Sequence, residues 1–112
     1  MDETLTLDEF AALDLRVGTI LEARPAPGAH QPAYQLQIDF GELGKRSSSA
    51  QITDLYQPED LVGRQVIAVV NFPPKRIGGF ESHVLVLGAY EPSGAVRLLQ
   101  PDGHIEEGAR LR

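Results

Sequence analysis

Hydrophobic and polar positions alternate most cleanly between residues 34 and 40. Tyr34, Leu36, Ile38 and Phe40 are separated by Gln35, Gln37 and Asp39, the period of a strand with one buried and one wet face. Leu15–Ala23 is also rich in strand formers, and its Gly18 predicts a bulge or sharp bend of the kind barrels contain. Gln65–Asn71 and Val84–Tyr90 are apolar on both faces. In a small barrel one such face fills the interior, and the other is covered by a terminal segment or by a partner subunit. Arg46–Ile52 reads as a polar strand joined to its predecessor through Gly41-Glu42-Leu43-Gly44. Val96–Leu99 follows between two turns, Pro92-Ser93-Gly94 and Pro101-Asp102-Gly103, and a last short strand is expected at the end.

Two segments read as helical instead. Thr6 with Glu9 three positions later fits a capping box, and Leu7, Phe10 and Ala11 then share one face, which predicts a short helix over Leu7–Leu13. A helix that short persists only if its apolar face packs on something. That face, Leu7, Phe10 and Ala11, is the expected dimer contact; packing on the protomer's own barrel is the alternative. Pro58-Glu59-Asp60-Leu61 places Pro at a first helical position and predicts a single turn. Pro25, Pro27, Gly28 and Pro32 mark a loop between the first two strands. Five or more strands with frequent turns and one mid-chain helical turn predict an all-β closed barrel within a single domain, residues 1–112; a β-sandwich satisfies the same pattern.

Composition narrows the function classes. The 112 residues are 42% hydrophobic and 23% charged, as in ordinary globular proteins, and contain no cysteine, so no disulfide or thiolate chemistry is available. The acidic start lacks the order of a signal peptide, and the longest apolar run, Val66–Val70, falls far short of the about 20 residues a bilayer helix needs. A soluble, cytoplasmic protein without membrane insertion is expected. The net charge of −6 disfavours a nucleic-acid partner at first sight. Five of the 16 acids (Asp2, Glu3, Asp8, Glu9 and Asp14) lie in the first fourteen residues, however, leaving 11 acids against 10 bases, a net of −1. The bases that remain include two pairs, Lys45-Arg46 and Lys75-Arg76.

No catalytic constellation is legible. His30, His83 and His104 have neither the spacing nor the companions of a metal site. Gly44-Lys45 lacks the upstream glycine of a phosphate loop, that position being Asp39, and Ser47-Ser48-Ser49 lacks a nucleophile turn. The expectation is a binding protein, not an enzyme, with no cofactor and no metal.

The segment Asn71-Phe72-Pro73-Pro74-Lys75-Arg76-Ile77-Gly78-Gly79-Phe80-Glu81-Ser82-His83-Val84-Leu85-Val86-Leu87-Gly88 closely resembles the hallmark of CsaA-type proteins. These are stand-alone relatives of the tRNA-binding domains appended to some aminoacyl-tRNA synthetases. Asp14–Ile20, Pro32-Ala33-Tyr34, Ile38–Gly41, Ser48–Thr53 and Leu99–Asp102 extend the resemblance over nearly the whole chain. It implies an OB-fold, a five-stranded Greek-key barrel with a short N-terminal helix and a C-terminal β extension, assembled as a homodimer. It also implies an export-related chaperone that binds unfolded preproteins or peptides and the secretion machinery, or a tRNA binder using the same groove. The residues expected to bind are Phe72, Pro73, Pro74, Lys75, Arg76, Phe80 and Ser82, with Arg16, Gln51, Lys45 and Arg46 as further candidates. Aromatics beside fixed cations suit stacked bases and phosphates; they suit equally an apolar peptide groove with a charged rim. The plain structural reading makes Phe72 and Phe80 core plugs and Pro73-Pro74 a rigid turn. The chain departs from the family's usual bases at Gln31 and Gln35, from a Gln at Ser47 and from a Glu at His83. Losing two candidate phosphate contacts weakens the RNA case; an imidazole at 83 is compatible with pH-sensitive binding, the plain reading being a passive surface histidine.

Overall fold

The computed structural model of the protein describes residues 3–27 and 30–112. Met1, Asp2 and Gly28 of the sequence reading lie outside them. A five-residue helix, α1 (Leu7–Ala11), leads into the long strand β1 (Leu15–Pro25), followed by β2 (Tyr34–Asp39) and β3 (Lys45–Ala50). A one-turn helix α2 (Pro58–Leu61) precedes β4 (Gln65–Val69). Then come five short strands: β5 (Lys75–Ile77), β6 (Phe80–Ser82), β7 (Leu85–Val86), β8 (Gly88–Tyr90) and β9 (Val96–Leu98). The main sheet has the order β3-β2-β1-β4-β7, all neighbours antiparallel. It curls into a nearly closed five-stranded barrel, the OB-like architecture expected.

The serines of β3 bridge the remaining gap. Ser47 accepts the backbone N–H of His83 on its carbonyl at 2.9 Å, the buried Ser48 hydroxyl donates to the Val84 carbonyl at 2.9 Å, and the Ser49 N–H donates to Ser82 Oγ at 3.0 Å. Serine suits a seam where ladder pairing is incomplete, because one short side chain supplies both a donor and an acceptor.

The period-two reading of β2 holds residue by residue: Tyr34, Leu36 and Ile38 are buried and their neighbours half-exposed. With Ile20, Phe40, Val66, Ala68 and Val84 they fill the barrel, and Leu61 of α2 is wholly buried with them. Gly18 has a different role from the one expected. The bulge of β1 falls between Ile20 and Glu22, whereas a Cβ on Gly18 would stand 2.5 Å from Ile38 Cγ2 and 2.6 Å from Phe40 Cε1. Glycine is required there because the Phe40 ring lies against the strand backbone.

The chain's end forms no full strand. It runs antiparallel along β1, with the Val17 N–H donating to the Ala109 carbonyl at 2.9 Å and a single bridge between Arg16 and Arg110. The same tail covers β4. Gln65 Nε2 donates to the Ile105 carbonyl at 2.7 Å, and Gln65 Oε1 accepts from the Ile105 N–H at 3.1 Å. One of the two strands apolar on both faces is thus covered from within. Val84–Tyr90 is not a single strand: it changes partner at Gly88, from β4 to β9, and its outer side stays open.

The capping box of α1 forms as predicted, with Glu9 N–H donating to Thr6 Oγ1 at 3.1 Å and Thr6 N–H to Glu9 Oε1 at 2.9 Å. The helix ends two residues earlier than expected and buries none of its residues. Its C-terminal end is tied down by Asn71, whose side chain donates to the Ala12 carbonyl at 2.8 Å and accepts from the Asp14 N–H at 2.9 Å.

Candidate polymer-binding groove

Pro73 and Pro74 carry the chain out of β4 as a rigid elbow, since proline fixes φ and offers no N–H to pair. Gly78 and Gly79, both at positive φ (57° and 82°), then turn it back as a two-residue hairpin joining β5 to β6. The Gly-Gly pair between Ile77 and Phe80 was the available signal for this hairpin. Beside the elbow lies a groove of about 570 Å³. The end of β3 and the residues after it (Ser49 to Ile52) form one wall, and the β5–β6 hairpin forms another. Residues 84–88 with Tyr90 and Val96 complete it.

Of the expected binding residues, Phe72, Pro73, Lys75, Ser82 and Gln51 line this groove. Phe72 is 46% exposed, so it is no core plug. Lys75 makes no ion pair among the described residues. Arg76 does not join it. Side chains of a strand alternate faces, and while Lys75 and Ile77 line the groove, Arg76 donates to the Gly79 carbonyl at 3.2 Å and lies 3.5 Å from the Glu81 carboxylate. Pro74 is exposed on the elbow and Phe80 is half-buried beside the hairpin turn, both outside the groove.

Lys45 and Arg46 stand at the opposite end of β3 from Ser49, roughly 10 Å or more away at about 3.3 Å per residue. Arg16 is engaged elsewhere: its guanidinium donates to both Asp14 carboxylate oxygens, at 2.6 and 3.3 Å, and to the Gly108 carbonyl at 3.0 Å. That hydrogen bond, with the charges of Arg16 and Arg110 and against a burial effect, holds the Asp14 carboxyl below its ordinary range.

Tyr90, 83% exposed, and Leu85, 49% exposed, are groove residues that sequence reasoning missed. An apolar residue in a strand reads as core by default, and here the tertiary fold leaves the faces carrying Leu85 and Tyr90 uncovered. Among the described residues no Asp or Glu lines the groove, whose basic side chains are Lys75 and His83. No group of three or more His, Asp or Glu among the described residues is placed to hold a metal ion.

Residues 15–110 match the family model described as "Putative tRNA binding domain". The chain belongs to this tRNA-binding-domain family. The crystal structure of chaperone CsaA from Bacillus anthracis str. Ames superposes with a TM-score of 0.93 at 51% identity, over 98% of this chain and 100% of that one. The CsaA chaperone protein from Picrophilus torridus gives 0.91 at 47% identity, over 97% and 100%. A methionine–tRNA ligase of Methanothrix thermoacetophila is 44% identical over 96% of this chain, and the matched part is 16% of the ligase. The chain thus spans about a sixth of the length of the curated relatives it matches. Family members of this kind therefore occur both as separate chains the size of this one and as part of a much longer ligase.

Proposed function

We propose that the protein is a cytoplasmic homodimer that works by binding, without a chemical step or cofactor. On this reading its groove takes extended, partly apolar segments of unfolded preproteins, in the manner of an export-related chaperone that hands clients to the secretion machinery. The single observation that carries the reading is the groove itself: apolar walls, exposed Phe72 and Tyr90 and, among the described residues, a Lys75 without an ion pair and no carboxylate in the lining. OB barrels bind extended polymers on such a face, and the two structures reported above are of proteins named as chaperones. The expected result is suppression of client aggregation at equimolar protein. No suppression, together with no peptide binding by calorimetry, defeats the reading.

The family description supports a second reading, a tRNA bound by the same region. The opposed directions of Lys75 and Arg76 separate the two. A peptide held in the groove feels Lys75→Glu and is indifferent to Arg76→Glu. A phosphate backbone laid across the elbow and hairpin feels both, each substitution lowering the salt dependence by about one unit of slope. Binding of tRNA that is undetectable at low salt removes this second reading.

Dimerisation is supported by the apolar face of α1. Leu7 is 86% and Phe10 38% exposed, Ala11 is exposed beside them, and the protomer's own barrel leaves none of the three buried. A Leu7→Glu, Phe10→Glu variant is expected to sediment as a monomer at micromolar concentration where the parent is a dimer. A monomeric parent contradicts the proposal.

A further inference from the structure

The run from Leu85 to Glu91 is paired along one side only. β4 lies beside its first half, with Val86 opposite Ala68, and β9 beside its second, with Ala89 opposite Arg97. Leu87 joins the two halves: its N–H donates to the Ile67 carbonyl at 2.9 Å, and its carbonyl accepts from the Leu99 N–H at 3.3 Å. In an extended chain the N–H and C=O of one residue point to the same side, and those of the next residue to the other. β4 and β9 therefore succeed one another along a single edge.

Antiparallel pairing then fixes which groups face away from that edge. Glu91 N–H donates to the Ala95 carbonyl at 2.7 Å, so the bonded pairs are Glu91 with Ala95, Ala89 with Arg97 and Leu87 with Leu99. Val86, Gly88 and Tyr90 alternate with the bonded residues and turn their N–H and C=O groups outward. Leu98, opposite Gly88, obeys the same alternation: its N–H points away from β8 and donates to the Tyr56 hydroxyl at 3.0 Å. Among the described residues nothing pairs with the outward groups of Val86, Gly88 or Tyr90. β8 is exposed throughout, and all three residues line the groove. Gly88 brings nothing to that lining except its backbone.

Donor–acceptor pairs at every second residue, about 6.6 Å apart, match another extended polypeptide. A phosphate backbone only accepts, which leaves the three carbonyls unmatched. The β5–β6 hairpin and residues 49–52 bound the space beside the edge. A second copy could bring its own edge there only with the same walls alongside it, whereas an unfolded segment carries none. We propose that residues 86–90 are an open sheet edge to which a client segment adds as one more strand, held by its backbone while its side chains meet the apolar walls. The inference rests on the reading of the groove as a peptide site. It narrows the ligand class to extended segments of about five residues whose alternate amides are free to donate, which excludes proline there.

The test is calorimetry on the full chain with a synthetic heptapeptide containing Phe and Leu, and with the same peptide N-methylated at each of its five central residues in turn. N-methylation removes one donor and leaves the side chain in place. At alternate residues it is expected to weaken binding about three- to tenfold, the net weight of one backbone hydrogen bond, and at the residues between them less than about twofold. Hydrogen exchange supplies a second reading. With peptide bound, the amides of Val86, Gly88 and Tyr90 are expected to exchange about fivefold more slowly or better, and those of Leu87 and Ala89, already bonded, to slow less. A scan without the two-residue alternation, or outward amides that the bound peptide leaves unchanged, overturns the proposal and spares the peptide groove. The same amides protected in the free chain, increasingly so with protein concentration, would put a second copy on the edge and overturn it also. Failure of the unmodified peptide to bind overturns the groove reading as well.

Discussion

Along the C-terminal tail, polar groups are matched to one another. Gln65 donates to Ile105 at 2.7 Å, Thr19 donates to the Glu107 carboxylate at 2.7 Å, and Arg16 holds Asp14 at 2.6 Å. Along the elbow the pattern reverses: Lys75 is unpaired among the described residues, Tyr90 and Phe72 present apolar rings to solvent, and the groove lining contains no acid. Both regions flank the same barrel and are built from similar strands. A tail group whose hydrogen bonds are already made inside the fold has little left for a ligand, and removing it leaves a partner unsatisfied. Lys75, Phe72 and Tyr90 have no such internal partners among the described residues, so their loss shows in binding. Arg16 and Lys75 are both basic residues of family-like motifs, yet they fall on opposite sides of this division.

Substitutions can break or sharpen that contrast. The largest effect is expected inside the barrel that both regions share. Gly18→Ala puts a Cβ into the Phe40 ring and the Ile38 methyl, and overpacking of this kind costs about 1–3 kcal/mol, read as a lower urea midpoint. A variant as stable as the parent would show that the ring can shift, and that the close approach is not required.

Next come the groove residues. Phe72→Ala and Tyr90→Ala are each expected to weaken peptide binding by about tenfold, as loss of an aromatic anchor does, while stability stays within about 0.5 kcal/mol because both rings face solvent. A large fall in thermal midpoint for either variant would place that ring with the fold and erase the contrast.

The smallest effect is expected at Asp14. Because its carboxyl is held below the ordinary range in the folded state, chiefly by the Arg16 hydrogen bond, the stabilisation is present above the unfolded value of about 3.9 and is lost as pH falls through the lower folded value. Asp14→Asn should therefore cost about 1 kcal/mol or less at neutral pH and flatten the loss of stability in acid. Peptide affinity should not change. Impaired binding by this variant would tie the tail side to function and undo the division.

Much of the architecture was legible in the residues. The alternation in Tyr34–Phe40, the Thr6–Glu9 box and Pro58 at the head of α2 each carry their physical cause locally, and each element formed where expected. The groove was half legible. The Phe-Pro-Pro-basic element lies beside the groove, but it suggested two cations acting together, and strand alternation sends Lys75 and Arg76 to different faces. Tyr90 and Leu85 were hidden, because an apolar residue in a strand gives no local sign of which face lacks a cover. Gly18 showed the converse problem: a glycine in a strand is compatible with a bulge or with a close neighbour, and the neighbour is Phe40, 22 residues further on.

Local pattern thus settled where the first four strands lie, where the helices begin and that no thiol is present, since periodicity, capping and composition act over a few residues. Tertiary folding decided which apolar faces stay open, which bases are neutralised, and that Ser47 and His83, 36 residues apart, share a hydrogen bond at 2.8 Å. Those outcomes depend on distant segments meeting across a curled sheet. A side chain's partners there are set by register and closure, which no short stretch of residues encodes.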